Sequence, residues 1–371
     1  METYALLVAV SLLIAFVVKK NKWFDKHKTL SMFIALLPLT VASALRFNVG
    51  WDYESYSRKY QEYNLYGEGA LNFSEPGMNI LIRGLSIFTQ DWTILFVVFS
   101  VATAFFFSRC YAAYGKKEHL MQYILLFFVG RFYFCSLNII RQALAMMIIL
   151  YSLNFISKKK RRKEDYIKSI MYILLASTIH QFALIFLPLI FILPLNLRKK
   201  KDYIKFAALF TLVILAIGAI VNTTGYLKYF DLMFGNDGEI VVSELFISIA
   251  IILFYLISKR NVEDSEVFFK MEIIVFIVAL LSAFLPTTDR IIWYFSIQNI
   301  FLIPRIIDAY KDIRLKLIVT SVLYVFMGVV VYNQAIRSDS YNVIPYDSVY
   351  SQGGPWERDD IIKKEHLLED E

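Results

Sequence analysis

Between Arg46 and Tyr56 the chain reads Arg-Phe-Asn-Val-Gly-Trp-Asp-Tyr-Glu-Ser-Tyr, a dense mixture of guanidinium, carboxylate and aromatic groups in a sequence that is 58% hydrophobic. A carboxylate at Asp52, with Glu54 two residues on, can activate a hydroxyl or bind a divalent ion, and Trp51, Tyr53 and Tyr56 can stack on sugar faces. The alternative is a solvated loop. Other ionisable residues stand singly in apolar surroundings. Arg141 lies in an otherwise apolar run. A guanidinium there costs about 3 kcal/mol on insertion scales, so it calls for a buried partner, an anionic ligand, or an extended side chain reaching the headgroups. Arg131, among Phe and Tyr, reads as the last of these. His180, in Ser177-Thr-Ile-His-Gln181, falls at a turn between two short runs. A neutral imidazole with a pKa of about 6.5 can take a proton from a hydroxyl, or simply hydrogen-bond the turn. Asp289-Arg290 follows Pro286 at the end of another run, where an internal ion pair is the alternative. Arginine's planar fork matches phosphate oxygens. Brought to one face with Asp52 and His180, Arg46, Arg141 and Arg290 would hold a diphosphate.

These groups need a scaffold, and composition sets its kind. A mean hydropathy of +0.53, with 32 Phe and 24 Tyr in 371 residues, excludes an ordinary soluble domain. Apolar runs recur along the chain, which predicts an all-α, polytopic integral membrane protein. Runs alternating with basic loops predict about twelve spans, within ten to fourteen. They lie at 4–18, 30–45, 92–111, 120–134, 139–156, 166–179, 182–195, 203–221, 243–258, 267–286, 291–307 and 317–332. Several are only about 15 residues against the roughly 20 a bilayer needs, which predicts short or half-helices lining an outer-face cavity. Run 4–18 reads as a first span, not a removed signal.

Most of the 39 Lys and Arg residues fall in alternate short loops, including Lys19–Lys28 and the run Lys158-Lys-Lys-Arg-Arg-Lys163. By the positive-inside bias those loops are cytoplasmic and both termini are outside. The +7 formal charge is therefore topological, which argues against nucleic acid as a partner. We expect one membrane domain over 1–335, in which 46–91 is extracytoplasmic and carries an interfacial or re-entrant helix. An extracytoplasmic polar tail, 336–371, is expected to follow and to end in disorder. Cys110 and Cys135 have no ligand spacing, His27, His119 and His366 are scattered, and there is no Walker loop, G-x-S-x-G or H-E-x-x-H, so no metal or cofactor is expected.

In order and spacing, Arg46-x3-Gly50-x-Asp52-Tyr53-x2-Tyr56, Glu75-Pro76-Gly77, Arg141-Gln142-x-Leu144-Ala145, His180, Asp289-Arg290 and Ile344-Pro345-Tyr346 resemble the EpsG-type, or Wzy-like, family of bacterial exopolysaccharide and O-antigen repeat-unit polymerases. The resemblance covers nearly everything from Arg46 to Tyr346. It implies a multi-pass glycosyltransferase of the bacterial inner membrane. Such an enzyme moves a glycan from undecaprenyl diphosphate to the non-reducing sugar of another lipid-linked repeat unit, with its site facing the periplasm. On that reading Arg46, Arg141 and Arg290 bind the diphosphate, Asp52, His180 and Arg141 serve the chemistry, and Trp51, Tyr53, Tyr56 and Glu75 meet sugar. The expected partners are the undecaprenyl-diphosphate-linked oligosaccharide, membrane lipids, a chain-length regulator and a flippase. The alternatives are a glycan ligase or lipid-phosphosugar transferase, or a transporter of lipid-linked glycans. A transporter would show polar residues through the bilayer's depth or paired repeats.

Overall fold

The computed structural model describes residues 2–70, 73–158, 160–195, 200–223, 242–258, 262, 265–282 and 288–351, and among these it is helical, with no strand. The chain forms two compact units. The first is Met1–Asn154, Ile167–Leu184 and Gly328–Glu371; the second is Phe155–Tyr166 and Ile185–Met327.

In the first unit, α1 (Glu2–Lys20) has no Gly or Pro. Glu2 sits in its first turn and Lys19 and Lys20 in its last, the charge order the helix dipole favours. A one-turn elbow, α2 (Trp23–Lys26), leads into α3 (Lys28–Ala44). α3 packs against both α1 and α6 (Thr93–Tyr114), and a hydrogen bond from Ser100 Oγ to Ser43 Oγ, 2.8 Å, ties it to α6. Between α3 and α6 lie α4 (Tyr53–Tyr66) and α5 (Pro76–Ser86). At 11 residues, α5 is about 16 Å long and too short to cross a bilayer. It buries Met78 and Ile82 and exposes Ile80, with Ile87 and Phe88 exposed just beyond it.

α7 (Leu120–Val129) and α8 (Phe132–Asn138) meet at a 52° bend, where Arg131 takes a left-handed φ of +68°. Arg131 does not reach outward. It is 6% exposed and donates from Nη1 to Gln334 Oε1 at 2.5 Å. α9 (Ile140–Ile156) follows, buried continuously from Gln142 to Leu153, so it is the central helix of this unit. α10 (Lys163–Ile179) reaches His180, and the 3-10 turn Gln181–Ile185 comes after it.

The second unit holds α11 (Phe186–Ile192), α12 (Lys200–Thr223), α13 (Val242–Ser258), α14 (Glu266–Leu280), α15 (Thr288–Ser296) and α16 (Asn299–Ala309). α14 is its hub, packing on α12, α13, α15 and α16. Two ionisable side chains lie inside it. Glu272 accepts from Gln298 Nε2 at 2.9 Å, and Lys270 donates to the carbonyls of Leu193 (2.7 Å) and Leu195. The last long helix, α17 (Ile313–Val331), continues into a π-helical turn, Tyr332–Arg337.

Among the described residues three helical stretches, Glu2–Lys20, Thr93–Tyr114 and Ile313–Arg337, are long and apolar enough to cross a membrane, and the bent α7–α8 pair makes a fourth. The expected count of about twelve is not reached by this measure. The physical reason is length. Lys28–Ala44, Ile140–Ile156 and Val242–Ser258 are 17 residues each, about 26 Å against about 30 Å of hydrocarbon. The expected outer loop with Asp231, Asp237 and Glu239, the basic pair Lys259-Arg260 and the tail beyond residue 351 lie outside the described residues.

Candidate functional site

The site is built in the first unit, where the loop 46–52 is folded around its own arginine. Arg46 is 0% exposed. Its Nε donates to Val49 O (3.1 Å), Nη2 to Leu137 O (3.0 Å) and Nη1 to Ser43 O. The guanidinium lies 4.5 Å from the centre of the Phe96 ring. Burial pulls its pKa down to about 10, against the pull of Tyr53, Tyr133, Tyr4 and Tyr346, so it is charged at neutral pH. Three carbonyls at helix ends and in the loop take up its fork. Arg46 therefore organises the loop and offers no face to a diphosphate.

Gly50 makes the next contact possible. Its φ is +97°, and a Cβ there would sit 2.5 Å from Leu137 O. The loop consequently lies flat on the end of α8, and Asn138 Oδ1 accepts the Asp52 N–H at 3.1 Å. From the other side the tail straps it down. Phe47 N donates to Asp347 O (3.0 Å), Val349 N to Leu45 O (2.9 Å) and Gly50 N to Asn342 O (2.7 Å). Tyr4 and Tyr346 hydroxyls reach Val343 O and Ala42 O. Residues 339–349 are thus part of the scaffold, with Val343 and Val349 buried. Their polar composition did not announce it; the signal was the aromatic Tyr341, stacked on Phe134, and Tyr346.

Arg141 stands in the first turn of α9. Its Nη1 donates to Glu75 Oε2 at 2.8 Å, and its Nε to the Tyr56 hydroxyl at 3.3 Å. The guanidinium carbon lies 5.7 Å from the Tyr56 ring centre and 5.0 Å from that of Phe73. Among the described residues Nη2 has no hydrogen-bond acceptor, and the side chain keeps 22% of its surface open. Glu75 is held from a second side by Ser74 Oγ at 3.0 Å, onto the same Oε2. Asp52 adds a weaker negative field at Arg141. The acid that faces this arginine most directly is therefore Glu75.

The remaining expected residues separate. Trp51 is 64% exposed, with its ring oriented by a bond from Nε1 to Ser340 O (3.1 Å). Tyr53 is 1% exposed, stacked on Phe96 at 4.4 Å, and its hydroxyl accepts from Trp92 Nε1. It belongs to the packing around Arg46 and has no free ring face for sugar. Tyr56 and Glu75 are buried against Arg141. His180 is 5% exposed, its ring stacked at 5.6 Å on Phe182. Its turn packs against α5: a Cβ on Gly77 would sit 2.6 Å from Thr178 O. Asp52, Tyr56, Glu75 and Arg141 are brought together, with the His180 turn supporting the start of α5. Arg290 lies in the second unit, in α15. Pro286, Thr287 and the side chain of Asp289 lie outside what is described. Among the described residues no group of three or more His, Cys, Asp or Glu gathers to hold a metal.

A cation with an open edge, paired to a carboxylate and flanked by a tyrosine hydroxyl, can exchange one anion for another. A family model described as the EpsG family matches residues 29–348. No curated protein matches the chain, and no solved structure does.

Proposed function

The chain belongs to the EpsG family, and from that premise we propose that it is a polysaccharide polymerase acting on lipid-linked repeat units at the outer face of the bacterial inner membrane. The non-reducing sugar's hydroxyl attacks the anomeric carbon of a glycan carried on undecaprenyl diphosphate. A new glycosidic C–O bond forms, the bond to the diphosphate oxygen breaks, and the electron pair leaves with undecaprenyl diphosphate. The hydroxyl proton passes to Asp52. A diphosphate is a competent leaving group, so the protein's work is to neutralise growing charge and to align the acceptor.

Arg141 is the observation that carries this reading. Its Nη2, which among the described residues has no acceptor, leaves N–H donors on a guanidinium already paired to Glu75 and bonded to the Tyr56 hydroxyl, suited to a phosphate oxygen. Trp51, the one expected sugar contact with an open ring face, supplies a stacking platform. Asp52 is preferred to His180 as base because it is half-buried and its backbone is anchored beside α9, whereas the imidazole is stacked and buried.

The test is Asp52→Asn in cells that make the polymer, with glycan length read on a gel beside protein abundance in the membrane. Single repeat units at normal abundance are expected. Native-length polymer would remove Asp52 from the chemistry. Deleting the gene should leave single units on the outer leaflet; their confinement to the inner leaflet would replace polymerisation with transport.

A further inference from the structure

At the end of α1, α3 and α6 opposite the loop 46–52, the first unit has a cavity of about 310 Å³, room for about ten waters. Lys19, Lys28, Lys116 and Lys117 line it, with Asp25 and Glu118 the acids. Four cations against two anions leave a formal charge of +2. The cavity is held open by specific contacts. Gly115 has no Cβ, and one there would run into the Tyr111 ring, so the chain folds back over that ring. Lys116 N then donates to the Tyr123 hydroxyl at 3.0 Å, which sets two consecutive lysines at the mouth.

The lysines are under-used. Each ammonium has three N–H donors. Among the described residues Lys19 Nζ uses one on Glu118 O (2.9 Å), Lys28 Nζ one on Gly115 O (3.4 Å), and Lys117 pairs with Asp25. Lys116 is exposed, and among the described residues its Nζ makes none. In the cavity's wall Val18 and Leu120 are buried and Phe24 is half-buried. Beside it Leu13, Phe16 and Val17 on α1 and Trp23 on the elbow are exposed, as expected where a helix leaves hydrocarbon for headgroups.

We propose that this cavity binds the phosphate headgroup of an anionic phospholipid, the lysines taking the phosphate and the exposed apolar lip of Phe16, Val17 and Trp23 meeting the acyl chains. A free phosphate would satisfy the lysines and leave the lip without a role. The site is independent of the polymerase reading, since it lies at the other end of the helices.

The test uses the purified full-length protein in detergent, titrated with phosphatidylglycerol, with phosphatidylcholine and with inorganic phosphate, following unfolding temperature and lipid retained by native mass spectrometry. Phosphatidylglycerol alone should raise the unfolding temperature. Lys19→Gln with Lys116→Gln should weaken its binding roughly thirtyfold. Lys160→Gln, an exposed lysine of the long basic run, should leave it unchanged. Should the double variant not fold, a salt titration of the native protein decides, because binding through phosphate must weaken as ionic strength rises. A full response to inorganic phosphate would overturn the lipid assignment. So would equal responses to the two lipids, undiminished binding by the double variant, or salt-independent binding.

Discussion

Replacing Arg141 and Glu75 separately and together tests whether the pair at 2.8 Å is a structural unit and a substrate site at once. Removing one partner of a buried pair costs about 3–5 kcal/mol, because the other charge is left uncompensated. Glu75 has 7% of its side chain exposed, so Arg141→Ala strands a nearly dry carboxylate. Arg141 is itself 22% open, which moves the expected cost to the low end, about 3 kcal/mol. Glu75→Ala strands a cation that still has the Tyr56 hydroxyl and two aromatic faces, each face contributing about 0.5–1 kcal/mol. Its cost should be smaller, about 2 kcal/mol. The double variant strands nothing and should cost about 2 kcal/mol rather than the sum, giving a coupling of about 3 kcal/mol.

Thermal unfolding in detergent reads the stability side, at roughly 2 °C or less per kcal/mol for a chain this long. Polymer length on a gel reads function, and there all three variants should fail. Arg141→Lys separates the two sides. An ammonium can still face Glu75, so stability should change by less than about 1 kcal/mol, yet without the fork polymer output should fall about 100-fold or more. Native-length polymer from Arg141→Lys, or additive costs for the double variant, would refute the reasoning.

Arg46→Lys should fail in the opposite way. It leaves carbonyls of Ser43, Val49 and Leu137 short of donors, at about 1–3 kcal/mol for each one stranded, so protein abundance in the membrane falls before any activity per molecule does. Unchanged abundance would return Arg46 to the substrate site. Gly77→Ala puts a methyl 2.6 Å from Thr178 O and should lever α5, with Glu75, off the His180 turn. Polymer shortens while unfolding of the remaining protein shifts only slightly; native polymer would show that α5 is free to move. Asp165 is held below the ordinary carboxylate range by the Lys158 ammonium first and the Arg162 N–H second. A depressed carboxylate stabilises above its unfolded value of 3.8, and that contribution is lost as pH falls through the lower folded value. Asp165→Asn should therefore speed hydrogen exchange in segment 155–166 at neutral pH, with the difference from the native protein vanishing once the pH is below both values. A difference that persists there would point to packing instead.

What the sequence made legible was what apolar runs and residue chemistry determine alone: an all-α membrane protein, the family, and an arginine at 141 in need of a partner. The partner's identity was not legible, because Glu75 and Arg141 are 66 positions apart and only tertiary packing, with α5 seated beside Thr178, brings them into contact. Span number was poorly legible for a different reason. Runs of 15 to 17 apolar residues sit at the boundary between crossing and buried core, and hydropathy carries no term for what covers them. That the polar tail also holds the loop 46–52 was not legible, because its grip works through backbone groups, Asp347 O, Asn342 O and Val343 O, which leave no trace in composition.

Arg46 and Arg141 show why residue type and side of the membrane do not separate roles. Both are arginines at helix ends beside tyrosines, and both would have been placed on the diphosphate by the same rule. Their difference lies in what oxygen each one meets. Arg46 meets carbonyls, which cannot leave; Arg141 meets a carboxylate, which a stronger anion can displace. The two are nevertheless joined through one short piece of chain. Leu137 O accepts from Arg46 Nη2 and abuts Gly50, Asn138 Oδ1 holds the Asp52 N–H, and three residues after Asn138 comes Arg141. A buried guanidinium that fixes the loop 46–52 onto residues 137–138 thereby fixes Asp52 against the start of α9. Arg46 is in this sense a positioning residue for the proposed base and cation, and the polar stretch that drew attention as a binding loop contributes to the site mainly by being locked.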